Sequence, residues 1–312
     1  MTKGILPGYI PLCENGAIDD RIRSACDLLS ECTVCPRECL VNRFADERGF
    51  CRTGRQAAIS SYGPHFGEEP PLVGRHGSGT LFVTHCNLAC DFCQNAEISQ
   101  CGAGDEVSSG ILAEMMIRLQ RQGCHNINIV TPTHVMPQLI RSVKIAAGRG
   151  LCIPLVYNCG GYESVQALRL LDGIVDIYMP DAKYGNNEVA LSLSHASWYV
   201  ETMKAAITEM HRQVGDLEIE NGIAIRGLLI RHLVLPENLA GSDHVLPWIA
   251  REISCDSYVN IMAQYHPAGR VAGAGATVPY PALRRPVTAQ EYRSACRIAL
   301  DSGLHRGFSL TE

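Results

Sequence analysis

The sequence predicts an α/β fold, a partial (β/α)6 parallel barrel over residues 76–312 preceded by a small cysteine-rich N-terminal segment over residues 1–75. Three observations carry that prediction. Six short apolar runs alternate with stretches of helical spacing, the pattern of a parallel sheet covered on its outer face. Six such units are too few to close an eight-stranded barrel. The chain is also long and apolar enough, at 312 residues and 46% hydrophobic, to bury a large core.

Composition excludes several functional classes. A net charge of −5 argues against a basic face that holds nucleic acid. The opening residues, Met1-Thr2-Lys3-Gly4-Ile5-Leu6-Pro7-Gly8, lack an apolar leader, and no run approaches the roughly 18 apolar residues of a membrane span. A cytoplasmic protein with no membrane or nucleic-acid partner is expected. Fifteen cysteines in so long a chain, an odd count without an export signal, point away from a disulfide scaffold. Metal ligation is the better reading for the clustered ones. Cys13, Cys26, Cys101, Cys124, Cys152, Cys255 and Cys296 lie singly and are expected to pack as small hydrophobes.

Taken in order, Ile18, Ile22, Ala25, Cys26 and Leu29 recur at helical spacing and predict an amphipathic helix. It leads into Cys32-Thr33-Val34-Cys35-Pro36-Arg37-Glu38-Cys39, continued through Asn42 and Arg43 to Gly49-Phe50-Cys51. The four thiols Cys32, Cys35, Cys39 and Cys51 suit a tetrahedral site, either structural zinc or an auxiliary iron–sulfur cluster. Residues 56–62 read as a short strand, and the Pro/Gly-rich residues 65–71 as a connector in which the paired Glu68 and Glu69 are expected to be solvated, binding of a substrate cation being the alternative. The six barrel strands are predicted at residues 80–83, 126–130, 152–157, 174–179, 228–235 and 258–262. Helices are expected at 107–119, 137–147, 165–171, 187–214 and 245–253, and a last one opens on the capping box Thr288-Ala289-Gln290-Glu291.

The stretch that organises the rest is Thr84-His85-Cys86-Asn87-Leu88-Ala89-Cys90-Asp91-Phe92-Cys93-Gln94-Asn95, directly after the first barrel strand. Thiolates of Cys86, Cys90 and Cys93 suit an iron–sulfur centre or zinc. Three ligands leave a four-iron cluster with one iron open to a small molecule. The C-x3-C-x2-C spacing, with an aromatic before the last cysteine, resembles the radical S-adenosylmethionine (SAM) superfamily. The preceding Gly77-Ser78-Gly79-Thr80 and trailing Cys93-Gln94-Asn95 look most like the pyruvate formate-lyase activating enzyme branch. The resemblance implies a barrel of radical SAM type and a [4Fe–4S] cluster on Cys86, Cys90 and Cys93. It also implies SAM as cofactor, an electron donor such as flavodoxin or ferredoxin, and a protein substrate on which a glycyl radical is made. Modification of a peptide or small metabolite, or a non-catalytic iron–sulfur or zinc scaffold serving as redox partner, are the alternative readings.

Polar residues at the strand ends fill out the site. Met179-Pro180-Asp181-Ala182-Lys183 resembles the activases' Met-x-Asp-x-Lys, and a carboxylate and an ammonium two residues apart suit a zwitterionic ligand such as the methionyl part of SAM. Asn158-Cys159-Gly160-Gly161 resembles their Asp-Thr-Asn-Gly, and Tyr265-His266-Pro267-Ala268-Gly269 their Tyr-His-x-x-Gly. SAM contacts are thus expected from Asn158, Asp181, Lys183 and His266. Thr131, Thr133 and His134 stand where that family carries Gly-Gly-Glu and are candidates for the same role; a helix cap is the alternative for Thr133. Arg231 and His232 lie within the fifth strand, where alternation sends one of them inward.

Overall fold

A computed structural model of the chain describes residues 6–273 and 279–309; the expectation about the opening stretch falls mostly outside these residues. The elements in chain order are α1 (Tyr9–Glu14), α2 (Ala17–Asp27), β1 (Ala57–His65), α3 (Pro70–Val73), β2 (Ser78–Val83), α4 (Ala96–Ser99), β3 (Asp105–Val107) and α5 (Ser109–Arg121). They continue with β4 (Ile127–Val130), α6 (Met136–Ala147), β5 (Leu155–Cys159), α7 (Val165–Leu170), β6 (Ile177–Pro180), α8 (Asn187–Ser194) and α9 (Tyr199–Val214). The last are β7 (Glu218–Glu220), β8 (Ile223–Leu233), α10 (Ser242–Trp248), β9 (Tyr258–Met262) and α11 (Ala289–Asp301).

Strands β2, β4, β5, β6, β8 and β9 pair in parallel, each with the next in the chain. Right-handed crossovers in a constant direction put the connecting helices on one face. The other face becomes the interior of an incomplete barrel. β1 extends the sheet antiparallel to β2, β3 pairs with β1, and β7 forms a hairpin with β8. The division at residues 75/76 therefore falls between two strands paired with one another.

Alternation along the strands separates two cores. Leu81, Ile129, Tyr157, Tyr178 and Ile230 face the helices, in one cluster with Met116, Ile140 and Ile207. Val156, Ile177, Met179 and Leu229 face the interior together with Leu72 of α3, which plugs the barrel at the amino ends of the strands. Asn126 fixes that plug by donating to the Leu72 carbonyl at 2.9 Å.

Several boundaries differ from expectation for local reasons. The third strand begins at Leu155, after Pro154, because Cys152 donates its N–H to the Gln120 side chain (2.7 Å) instead of a strand partner. The fourth begins at Ile177, since Ile174 closes a turn onto Leu171 (2.8 Å). Val107 belongs to β3, and Ser108 caps α5 by accepting the Ile111 N–H. The helix expected over 187–214 is two helices. The Leu193 and Ser194 carbonyls at the end of α8 accept N–H groups of Asp91 and Ala89, at 2.8 and 3.4 Å, so the cysteine loop takes the place of the next helical turn. α10 ends in a single wide turn over Ile249–Ile253, and the capping box on α11 is present with both of its hydrogen bonds. Cys124 and Cys296 are buried as expected, whereas Cys101, Cys152 and Cys255 are exposed.

Candidate active site

The loop that follows β2 is held by backbone bonds on several sides. Thr84 donates to Ala58 of β1, His85 to Ile98, and Asp91 to the end of α8. Asn87 reaches across to the Tyr162 carbonyl at 2.6 Å. Each of the three sulfurs faces a donor. The Leu88 N–H points to Cys86 Sγ (3.3 Å), the Ser194 hydroxyl donates to Cys90 Sγ (2.9 Å), and the Ser99 hydroxyl lies 3.2 Å from Cys93 Sγ. Burial pushes the Cys86 and Cys90 thiols up, while the Lys183 ammonium opposes this at Cys90. Three soft donors, two of them met by a donated hydrogen bond that favours the thiolate and the third beside the Ser99 hydroxyl, fit an iron–sulfur centre.

Opposite the loop stands a buried ionic group built from the ends of β5, β6 and β8. Asp181 accepts from Arg231 Nε at 2.7 Å and is ion-paired with Lys183. Arg231 Nη2 donates to Asn158 Oδ1 at 2.7 Å. Burial alone would raise the Asp181 carboxyl, but Arg231 and Lys183 overcome it and hold the group below the usual range. The Tyr199 hydroxyl lies 2.9 Å from the carbonyls of both Gly160 and Asp181, and pins the ends of β5 and β6 together. Gly161 has φ +76°, and a Cβ there would strike the Asp181 carbonyl, which explains the glycine. Leu88 of the cysteine loop packs over Gly160, close to the Lys183 stem.

Glu68 and Glu69, expected in solvent, instead enter the barrel from its open side. Glu69 is 6% exposed and accepts from Asn260 Nδ2 at 3.0 Å. Burial raises the Glu68 carboxyl, and Arg231 partly offsets this. Asn128 is fully buried with its side chain against the Glu68 carboxyl, which it helps to hold down, and Glu69 Oε2 has no hydrogen-bond partner. Such an orphaned group is costly unless a polar ligand or water satisfies it. The interior is thus furnished for a polar, charged guest.

The predicted residues separate by strand face. Asn158, Asp181 and Lys183 converge, and Arg231 joins them. His266 sits at the rim with Nδ1 3.3 Å from Gln94, next to Cys93. Thr133 and His134 are not brought to this group. Thr133 donates to Glu163 (2.6 Å) behind the sheet, and His134 Nε2 bonds the Thr84 carbonyl (2.8 Å). Thr131 ends β4 with its N–H on the Asn158 carbonyl (2.8 Å) and φ +62°. Cys159, one residue past the inward Asn158, also faces outward and is buried. His232 points outward between the Ala182 carbonyl and the Ser242 hydroxyl, and burial keeps it neutral with a pKa of about 4. Glu68 and Glu69 had only their pairing as a signal, Asn128 only its polarity, and Ser194 had none.

The four N-terminal cysteines line a single buried cavity together with Arg37, Arg43 and His134. Arg37 leaves that segment to donate to the Asn87 carbonyl at 2.9 Å and to the carbonyls of Ser194 and His195. A second, open cavity of about 320 Å3 lies between the two cysteine loops, lined among others by Phe50, Cys51, Arg52, Cys86 and Leu88.

No family model matches the chain. The uncharacterized protein MJ0674 of Methanocaldococcus jannaschii is 32% identical over 291 residues, covering 90% of this chain and 78% of the relative. Among solved structures, HydG, described as a maturase of the [FeFe]-hydrogenase, aligns with TM-score 0.47 and 9% identity over 71% of this chain. The HydG of Carboxydothermus hydrogenoformans gives 0.46 and 12% over 70%, and methylornithine synthase 0.42 and 11% over 71%. The alignments span about half of each HydG chain, 48% and 50%, and 67% of methylornithine synthase.

Proposed function

The chain belongs to the family of the Methanocaldococcus jannaschii protein MJ0674, and for it we propose radical SAM chemistry, with Cys86, Cys90 and Cys93 holding a [4Fe–4S] cluster. One observation carries this reading. Three cysteines at C-x3-C-x2-C spacing, each sulfur facing a donor, stand over a buried Asp181–Lys183–Arg231–Asn158 group at the carboxyl ends of parallel strands. The chemistry such a cluster supplies when bound is one-electron cleavage of SAM and hydrogen-atom abstraction.

The chain's own residues bind and orient. Asp181 and Lys183 offer opposite charges to the ammonium and carboxylate of the methionyl group, and Arg231 keeps the Asp181 carboxyl ionised. Asn158 and the backbone of Gly160 and Gly161 form the adjoining wall. Leu88, closing over Gly160, keeps water from that side. We assign a low-potential carrier, flavodoxin or ferredoxin, as electron donor, and a protein partner that receives a glycyl radical as substrate, on the strength of the activase-like segments 179–183 and 265–269. A second metal site on Cys32, Cys35, Cys39 and Cys51 belongs to the same reading, as does a reducing, cytoplasmic setting. No helix among the described residues is long and apolar enough to cross a membrane.

The test is anaerobic reconstitution with iron and sulfide, reduction by dithionite and addition of SAM. Formation of 5′-deoxyadenosine is expected; its absence would sink the reading. Deuterium transfer from a labelled partner into that product then tests the protein substrate, and transfer only from small metabolites would count against it.

A further inference from the structure

We infer that the open cavity on the β9 side of the barrel is a substrate subsite for a primary ammonium, with Glu69 as its anchor. This deepens the proposed function: it rests on the radical reading for the reaction and adds the charged group that the substrate brings. The cavity holds about 710 Å3, and Glu69, Tyr258, Asn260, Gln264, Tyr292 and Phe308 are among its walls. Among the described residues, Glu69 is the one charged side chain in that lining. Aromatic side chains around a single carboxylate suit an organic cation, which pairs with the acid and rests its stem against the rings.

Glu69 is held in place and left half satisfied. Its carbonyl accepts the N–H groups of Leu72 (2.8 Å) and Val73 (3.3 Å), which fixes its backbone at the head of α3. The side chain is 6% exposed; Oε1 accepts from Asn260 Nδ2 at 3.0 Å, and Oε2 has no hydrogen-bond partner. No ion pair joins Glu69 to a cation among the described residues. Arg231 feels the Glu69 charge, yet gives Nε to Asp181 and Nη2 to Asn158, each at 2.7 Å. Arg306, 5.9 Å from the centre of the Tyr258 ring, donates to the Asp256 and Leu217 carbonyls at 2.8 and 2.7 Å. A carboxylate taken out of water in this way lacks the cation that would balance it. One free oxygen suits an ammonium, a point charge, better than the flat fork of a guanidinium, which takes both oxygens. The chain after β9 leads from here to the cysteine loop: Gln264, four residues past Asn260, accepts from Gln94 Nε2 at 3.2 Å, and Gln94 follows Cys93. Four extended residues span about 14 Å at most. A substrate with its nitrogen at Glu69 therefore lays its stem along that wall towards Cys93.

The experiment is calorimetric titration of the full chain, reconstituted anaerobically with iron and sulfide and kept free of SAM and reductant. The ligands are Nα-acetyl-lysine methylamide and Nα-acetyl-norleucine methylamide, which keeps the stem and lacks the nitrogen. The lysine derivative is expected to bind saturably and roughly 10- to 100-fold more tightly than the norleucine one. Glu69→Gln, which keeps the size and an oxygen for Asn260, should remove that preference. Equal affinities, no binding of either ligand, or a preference that survives in Glu69→Gln would overturn the inference; a water held at Oε2 would give equal affinities. If Glu69→Gln is insoluble, Phe308→Ala takes its place: lysine binding about two- to fivefold weaker is expected, and unchanged binding would overturn the subsite. n-Butylammonium separates the sources of the ammonium. Binding as tight as that of the lysine derivative supports the subsite with a free amine as substrate, and weaker binding supports it with a side chain on a peptide. A chain that prefers lysine and forms no 5′-deoxyadenosine keeps the subsite and loses the radical reading; the opposite pair of results does the reverse.

Discussion

Asp181 holds two cations at once, Arg231 and Lys183, in a largely buried place. Replacing it by asparagine leaves both cations facing one another. Asp181→Asn should cost about 3 kcal/mol in denaturant unfolding, and adding Arg231→Met should cost less than the sum of the single changes by roughly 1–3 kcal/mol. Additive losses would show that the pair is not coupled. A second buried acid, Glu163, lies behind the sheet between the hydroxyls of Thr133 and Tyr157, and burial raises its pKa to about 7. With the folded value raised, its stabilising contribution is complete below the ordinary glutamate range near 4.5 and is lost as pH climbs through about 7. His134 and His232 are depressed by burial to about 3 and about 4, so their contribution runs the other way, lost as pH falls below 6.5. The difference between Glu163→Gln and wild type cancels the histidines. From pH 5 to pH 8 it should move in favour of the variant by up to about 3 kcal/mol; a difference independent of pH would contradict the assignment. Spacing, strand-end position and the family resemblance made the cysteines, Asp181 and Lys183 candidates, and the structure brings Asp181 and Lys183 together. Thr133 and His134 are not brought there, because one residue past a strand end the chain had turned to the outer face. Glu68 and Glu69 escaped because a Pro/Gly-rich connector looks solvated when it in fact plugs a barrel.

At the scale of elements, the N-terminal segment and the second cysteine loop act as one assembly. The Arg37 guanidinium lies 3.7 Å from the centre of the Phe50 ring and bonds the carbonyls of Asn87, Ser194 and His195. One side chain thus ties the first cysteine loop to the second and to the end of α8. Arg37→Ala should speed amide hydrogen exchange in residues 32–55 and 84–95 and leave β4 to β6 unchanged. Unchanged exchange in the cysteine loops would show that the clamp carries no stability. The α8–α9 break was invisible in the sequence for a related reason. Helical periodicity continues through residues 187–214, and only the bonds from Asp91 and Ala89 reveal why α8 stops. The capping box of α11, a purely local device, was readable in full.

The six parallel strands of the whole molecule were legible from alternation of apolar runs and helical spacing, since buried strands need little else to declare themselves. β1, expected at 56–62, runs on to His65, while the additions β3 on β1 and β7 on β8 were not read, because short edge strands carry exposed, mixed sequences. The result is a sheet in which the cysteine-rich segment and the barrel share strands and a common core. That arrangement sets the open side of the barrel and brings both cysteine clusters to one end of it. The central claim, that Cys86, Cys90 and Cys93 are the working centre and the other four are not its ligands, is tested most directly by 5′-deoxyadenosine formed per chain in wild type, Cys90→Ala and Cys35→Ala after identical anaerobic reconstitution. The account predicts product from wild type, none from Cys90→Ala, and product from whatever Cys35→Ala chain stays soluble. Product from Cys90→Ala at the wild-type level would contradict it.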